Sequence, residues 1–271
     1  MTKKKKQKIS QDSISAFFKS PQQLPTPTSS PRTKLNPSPQ VLTQLHLSNL
    51  GPSTRTAIHC QICQMHYNKI DPHDQKLHKQ HHDSILYGPT FPKPLHLVPH
   101  PPLAAPQLTR GGDLLVVTVT SGKDVQKRAL GVLTMVDIAL GAPPNPSRSA
   151  TFFSQGGKIY LLLSPQGRII SVVAGERITS AYRRIPGPSG VETCRGREKC
   201  VLGISRMWTC ISERGRGWCS ALVEECAAGL VLGVDCRSKR GDWVGFSTPS
   251  ESGMAVARKW TSREDFLVYD D

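Results

Sequence analysis

ISRMWTCISERGRGWCSALVEECA, residues 204–227, holds three kinds of segment in one run. ISRMWTC (204–210) carries the β-branched and aromatic residues of a strand. Ser212-Glu213-Arg214-Gly215-Arg216-Gly217 is small, basic and Gly-containing, which is loop composition. The stretch 218–228 then reads as a helix. That order puts helix N-terminal amides beside a loop whose glycines let a ligand approach the backbone. Arg214 and Arg216 add positive charge at the same point. A pyrophosphate cradle and a plain Gly-rich basic turn both fit. GxxxxGK[ST] is absent, so this is no Walker loop. G-x-G-x-x-G is absent too, so it is no Rossmann fingerprint.

The flanking segments supply a sheet and helices. LLVVTV (114–119) is a buried-strand candidate, and VQKRALGVLTMVDIAL (125–140) has helical periodicity with Val125, Ala129, Val132, Val136 and Ala139 on one side. Gly141 supplies a stop. KIYLLLS (158–164), Pro165-Gln166-Gly167 and RIISVVA (168–174) read as strand, turn, strand. Residues 183–200 are Gly- and Arg-rich and read as an irregular loop. DWVGF (242–246) reads as a strand, SESGMAVARKW (250–260) as a helix and FLVY (266–269) as a closing strand. The class is α/β with a central mixed sheet over residues 111–271.

Upstream lies HCQICQMHYNKIDPHDQKLHKQHHD, within a small Cys/His unit at 57–84. Cys60, Cys63, His78 and His82 form C-x2-C-x14-H-x3-H. Two thiolates on a tight turn and two imidazoles one helical turn apart can surround a tetrahedral zinc, with His81 as an alternative to His82. Four protein ligands leave no open position, which points to a structural site. One module reads about three base pairs, too few for a specific DNA address. Residues 85–110 connect this unit to the α/β domain, with a short strand expected at 86–91.

The chain has 271 residues and a formal net charge of +15, a balance that favours acidic partners and allows non-specific DNA contact. Its eight cysteines are too sparse for a disulfide scaffold. No apolar stretch follows the initial lysines and no run reaches about eighteen apolar residues, so neither a signal peptide nor a membrane span is expected. A reduced, intracellular protein is expected, with the lysine run serving as a nuclear import signal or a solvated tail. Residues 1–45 are rich in Pro, Ser and Gln and read as disordered. Within them QDSISAFF (11–18) sets two phenylalanines where nothing else can be buried.

Taken together, these landmarks resemble the Eco1/ESCO family of cohesin acetyltransferases, as a fungal member. CQICQMHYNKIDPHDQKLHKQHH is similar to the family finger, GISRMW (203–208) to GISRIW, GFSTPSESG (245–253) to AFSxPTxSG, and LTMVDIALGA, AGERI and FLVY to further family segments. The resemblance covers about residues 57–271 and implies a GNAT-like domain behind a C2H2-type finger. It departs at Gln64, where the family has glycine, at Cys219, where a smaller residue is usual, and at Thr248, acidic in vertebrate members.

The resemblance implies acetyl transfer from acetyl-CoA to lysines of the cohesin ATPase head during replication, establishing sister-chromatid cohesion. Met207, Trp208, Thr209 and Cys210 would face the acetyl group, and Arg214, Gly215, Arg216, Gly217, Trp218 and Cys219 the pyrophosphate. Ser205 corresponds to a family active-site serine; Ser247 and Thr248 lie on the substrate-side loop, and Glu224 and Glu251 are the nearest acidic candidates. Gln11, Ile14, Phe17 and Phe18 resemble the PIP box that docks on the replication sliding clamp. Two other outcomes stay open: a zinc-finger DNA- or clamp-binding adaptor with weakened catalysis, and a GNAT enzyme with another substrate.

Overall fold

A computed structural model describes residues 57–92, 108, 112–142, 151–185 and 193–270. The tail, with Gln11, Ile14, Phe17 and Phe18, lies outside the described residues.

The Cys/His unit is a ββα element. Strands β1 (Ala57–His59) and β2 (His66–Asn68) pair antiparallel with Ile58 opposite Tyr67. Helix α1 (Pro72–Tyr87) follows. Asp71 caps it by accepting from the His73 amide, and Pro72 occupies the first turn, where no amide donor is needed. The short strand expected at 86–91 does not form: α1 continues through Ile85, which is buried, and only Thr90 makes an isolated bridge, to Arg168. Gly88 ends the helix at φ 86°, and a Cβ there would stand 1.9 Å from the Ile169 carbonyl oxygen. Only glycine fits so close an approach.

One eight-stranded mixed sheet organises the remainder, in the order β3-β4-β5-β8-β9-β10-β6-β7. Strands β3 (Asp113–Val117), β4 (Lys158–Leu163), β5 (Ile169–Arg177) and β8 (Leu202–Thr209) are antiparallel neighbours. Strands β9 (Val244–Ser247) and β10 (Leu267–Tyr269) continue parallel to β8, and β6 (Ser180–Ile185) with β7 (Thr193–Lys199) returns antiparallel. Within 183–200, the described residues 183–185 and 193–199 are strand, not the irregular loop expected. Charge pairing replaces apolar alternation there: Arg183 of β6 holds Glu198 of β7 through contacts of 2.8 and 2.6 Å. The strand expected at 242–246 starts later, because Arg240–Trp243 forms a helical turn, α4.

Both faces of the sheet are covered, which is why KIYLLL shows no polar alternation. On one face Ile159, Leu161, Leu163, Val172 and Ala174 pack with Ala129, Val132, Leu133 and Val136 of helix α2 (Lys123–Leu140). The expected helix face thus gains Leu133 and loses Ala139, which is exposed. On the other face Tyr160, Leu162, Val173, Leu202, Ile204 and Phe246 meet helices α3 (Trp218–Gly229) and α5 (Glu251–Thr261).

Candidate active site and metal centre

Cys60 and Cys63 sit on the turn between β1 and β2. Cys60 donates its amide to Met65 O at 3.0 Å, and Gln64 donates to Cys60 O at 2.9 Å. Gln64 itself stands at φ 59°, a left-handed conformation that glycine adopts more readily. One helical turn apart on α1, His78 and His82 point back at the cysteines. The four ligand atoms lie within 4.8 Å of one another, and His81 is outside the group. Cys60 Sγ is 3.4 Å from His82 Nδ1. His78 stacks on Tyr67 at 3.8 Å between ring centres, and its Nε2 is buried without a hydrogen-bond partner.

The Cys63 amide first, and His78 next, hold the Cys60 thiol down to about 5. Two sulfurs and two imidazoles at this spacing, one of them with an orphaned buried nitrogen, fit zinc. All four positions are filled by protein, so the centre is structural. Helix α1 packs on the 3₁₀ turn Ile211–Glu213, directly ahead of the Gly-rich loop.

The second site opens where β8 leaves β9. Their parallel ladder stops at Ile204 opposite Phe246, while β8 runs on to Thr209 against β5 alone. Among the described residues, the edge of residues 207–209 that would face β9 therefore meets no strand there. The β5 register jumps from Ala174–Arg206 to Gly175–Ile204, so Ser205 is the extra residue of a bulge. Its buried hydroxyl donates to Ala174 O at 3.3 Å.

Two pockets meet at this split. One, of about 450 Å³, is lined by Ser205, Arg206, Met207, Ser247, Thr248 and Asp270, among others. The other, of about 370 Å³, is lined by Met207, Trp208, Thr209, Arg214, Gly217 and Cys219, among others. Leu140, Met207 and Gly253 belong to both walls.

The Gly-rich loop closes the end of the smaller pocket. Gly217 caps α3 at φ 83° with no side-chain cap, and Gly215 stands at φ 79°. A Cβ on either would meet nothing within 4 Å, so the space over the loop is open. Arg214 lines this pocket and donates to Thr209 O at 3.2 Å. Arg216 is exposed and pairs with Glu213 at 3.2 Å, while Trp218 Nε1 donates to the same carboxylate at 3.1 Å. Glu213 is thus a counter-charge within the Gly-rich loop. Burial pushes the Cys219 thiol up to about 12.

The split brings together Ser205, Ser247 and Thr248, and along the other pocket Met207, Trp208, Thr209, Arg214, Gly215, Gly217, Trp218 and Cys219. Four expected participants stand elsewhere, the exposed Arg216 among them. Cys210 is fully buried, and its amide is committed to Ile170 O at 3.0 Å. Glu224 accepts from Trp260 Nε1 at 2.7 Å and Arg240 Nη2 at 2.8 Å, which ties α3 to α5 and α4 and keeps the carboxylate out of both pockets. Glu251 is an exposed first-turn residue of α5, behind the Ser250 cap, and lines neither pocket. Arg206, Asp270 and the end of α2 were not anticipated. No local pattern marks them, because each reaches the larger pocket only through strand register or helix docking.

Residues 198–269 match the family model described as ESCO1/2 acetyl-transferase, and residues 44–84 the model described as zinc-finger of acetyl-transferase ESCO. The chain is 28% identical over 254 residues to N-acetyltransferase ECO1 of Eremothecium gossypii, covering 84% of this chain and 93% of that one. It is 25% identical over 224 residues to N-acetyltransferase ESCO2 of Mus musculus, covering 78% of this chain and 34% of that one, so it spans only about a third of that relative. Among solved structures, the xEco2 acetyltransferase domain bound to a K105-CoA conjugate aligns with a TM-score of 0.51 and 25% identity, over 59% of this chain and 94% of that one.

Proposed function

We propose that this chain, which carries the zinc finger and the GNAT-type acetyltransferase domain of the Eco1/ESCO family, transfers acetyl from acetyl-CoA to lysines of the cohesin ATPase head. The observation that carries this proposal is the split between β8 and β9, with one pocket on each side and Met207 in the shared wall. Bound acetyl-CoA supplies a thioester. The edge of residues 207–209, beyond the end of the β8–β9 ladder, offers amides to its carbonyl, where preorganised donors stabilise developing charge. Gly215, Gly217 and the first-turn amides of α3 receive the pyrophosphate in the open space over the loop, helped by Arg214. The acceptor lysine enters from the Ser205, Ser247 and Thr248 side.

The biological setting belongs to the same proposal. Acetylation during replication establishes sister-chromatid cohesion in the nucleus, on chromatin. Gln11, Ile14, Phe17 and Phe18 bring the enzyme to the sliding clamp, and the positive charge of the chain adds non-specific DNA contact. No helix among the described residues is long and apolar enough to cross a membrane.

The test is incubation of the purified chain with acetyl-CoA and recombinant cohesin head subunits, followed by peptide mass spectrometry. An acetyl increment on a head lysine is expected. Acetyl-CoA binding with transfer only to other proteins redirects the substrate; absence of acetyl-CoA binding overturns the activity.

A further inference from the structure

We infer that Asp270 is the carboxylate that receives the acceptor ammonium and takes up its proton. This rests on the acetyltransferase reading and deepens it. A lysine amine must lose a proton before it can attack, since its ordinary pKa is about 10.4. Among the residues lining the substrate-side pocket, only Arg206 and Asp270 are charged. Arg206 is no proton acceptor, because a guanidinium has no free lone pair to offer. Its groups are also engaged, with Asp137 and with Ser205 O. Ser205, Ser247, Thr248 and Ser250 supply hydroxyls only.

Of the other acids near the cleft, Glu251 is exposed beside Ser250 but lines neither pocket, and three more are engaged. Glu224 is held by Arg240 and Trp260. Glu213 lies on the cofactor side, against Arg216 and Trp218. Glu176 accepts from the Tyr269 hydroxyl at 2.7 Å.

Register delivers Asp270 to the pocket. In the parallel β9–β10 ladder Tyr269 lies opposite Ser247, and the Thr248 amide donates to Tyr269 O at 3.4 Å. One residue further, Asp270 stands beside Thr248 at the wall of the same pocket, exposed to solvent. Arg197 of β7 lies within electrostatic reach of Asp270, with its guanidinium held on the Tyr182 hydroxyl at 2.9 Å.

The chemistry then balances. The ammonium docks on the Asp270 carboxylate and passes it one proton, directly or through water. The neutral amine forms the N–C bond as the C–S bond breaks. A second proton leaves nitrogen; one of the two ends on the CoA sulfur and the other goes to solvent past exposed Asp270.

The experiment compares the full chain, Asp270→Asn and Asp270→Asn with Thr248→Asp, using acetyl-CoA and the cohesin head subunit. Asp270→Asn should lower kcat by about 10²-fold, the size of a lost general base. Acetyl-CoA affinity by calorimetry should stay within about twofold, because the cofactor pocket is untouched. The double variant restores a carboxylate to the same wall and should recover at least about tenfold in kcat. A single variant within about twofold of wild type, or a double variant no faster than the single, overturns the assignment while leaving the acetyltransferase reading intact. If the wild-type chain transfers nothing, that reading fails and the assignment falls with it.

Discussion

Arg206 of β8 donates through Nε to Asp137 of α2 at 2.5 Å, and both side chains are nearly buried. The same guanidinium donates through Nη1 to Ser205 O at 2.6 Å. One side chain therefore joins the bulge that presents Ser205 to the helix whose end walls both pockets. Asp137→Ala removes this partner from a nearly buried guanidinium, a loss of up to about 3–5 kcal/mol. Urea unfolding should show that loss as a lower midpoint. A variant as stable as wild type would mean that Arg206 finds equal compensation elsewhere.

The metal centre should matter to a site it does not touch. Removing zinc leaves Cys60, Cys63, His78 and His82 without the bonds that order the finger. Helix α1 packs on Ile211–Glu213, so its loosening frees the segment that leads into Gly215 and Gly217. A coupling of about 1–3 kcal/mol is ordinary for such linked elements. Chelation should raise the acetyl-CoA KM by about tenfold, within that range, and zinc should restore it. An unchanged KM in protein shown to be metal-free would separate the two sites. Elemental analysis of protein purified without chelator should give about one zinc per chain, as a closed four-ligand site requires.

Cys219 sits close enough to the cofactor pocket to invite an acetyl-cysteine route, yet burial holds its thiol protonated. With the thiol pushed up from its ordinary value, little of it is ionised at pH 8, and the thiolate is the nucleophile. Raising the pH toward 12 would release the thiolate; lowering it would not. Incubation with acetyl-CoA at pH 8 without acceptor should leave the Cys219 peptide unmodified by mass spectrometry. Stoichiometric, acceptor-dischargeable acetylation of Cys219 would establish the two-step route instead.

Local chemistry made much of this molecule legible. Ile159 to Leu163 and the facing run in β5 announced strands buried on both faces, and 204–228 announced the order of strand, basic loop and helix. The metal ligands could be read because their spacing is itself the geometry. Tertiary effects stayed hidden. β6 and β7 hold together through Arg183 and Glu198, which in sequence look like solvated charge. Glu224 resembled a free acid until Arg240 and Trp260 closed on it. Gln64 shows the converse: at φ 59° it occupies a conformation that explains a glycine at that place, with its side chain donating to Gln61 O at 2.7 Å.

Gly217 is the position where the pyrophosphate proposal can be tested most directly. It caps α3 at φ 83° and ψ 6°, and a Cβ built there meets nothing within 4 Å. That openness makes steric damage to the free protein small, while the left-handed backbone alone penalises an L side chain by about 1–2 kcal/mol. A β-branched residue is penalised further, and its methyls would stand in the space assigned to the pyrophosphate. Gly217→Val should therefore weaken acetyl-CoA binding by at least about 30-fold, combining a backbone shift of about 1 kcal/mol with lost phosphate contacts. Arg214→Ala removes one charge-assisted contact, worth about 1.5–3 kcal/mol, and leaves the backbone amides in place. Its acetyl-CoA affinity should fall by about 10- to 150-fold, a range that includes the loss expected for Gly217→Val. Calorimetry on both variants, with circular dichroism to verify the fold, decides the matter. Wild-type affinity in Gly217→Val would remove the loop from the cofactor site.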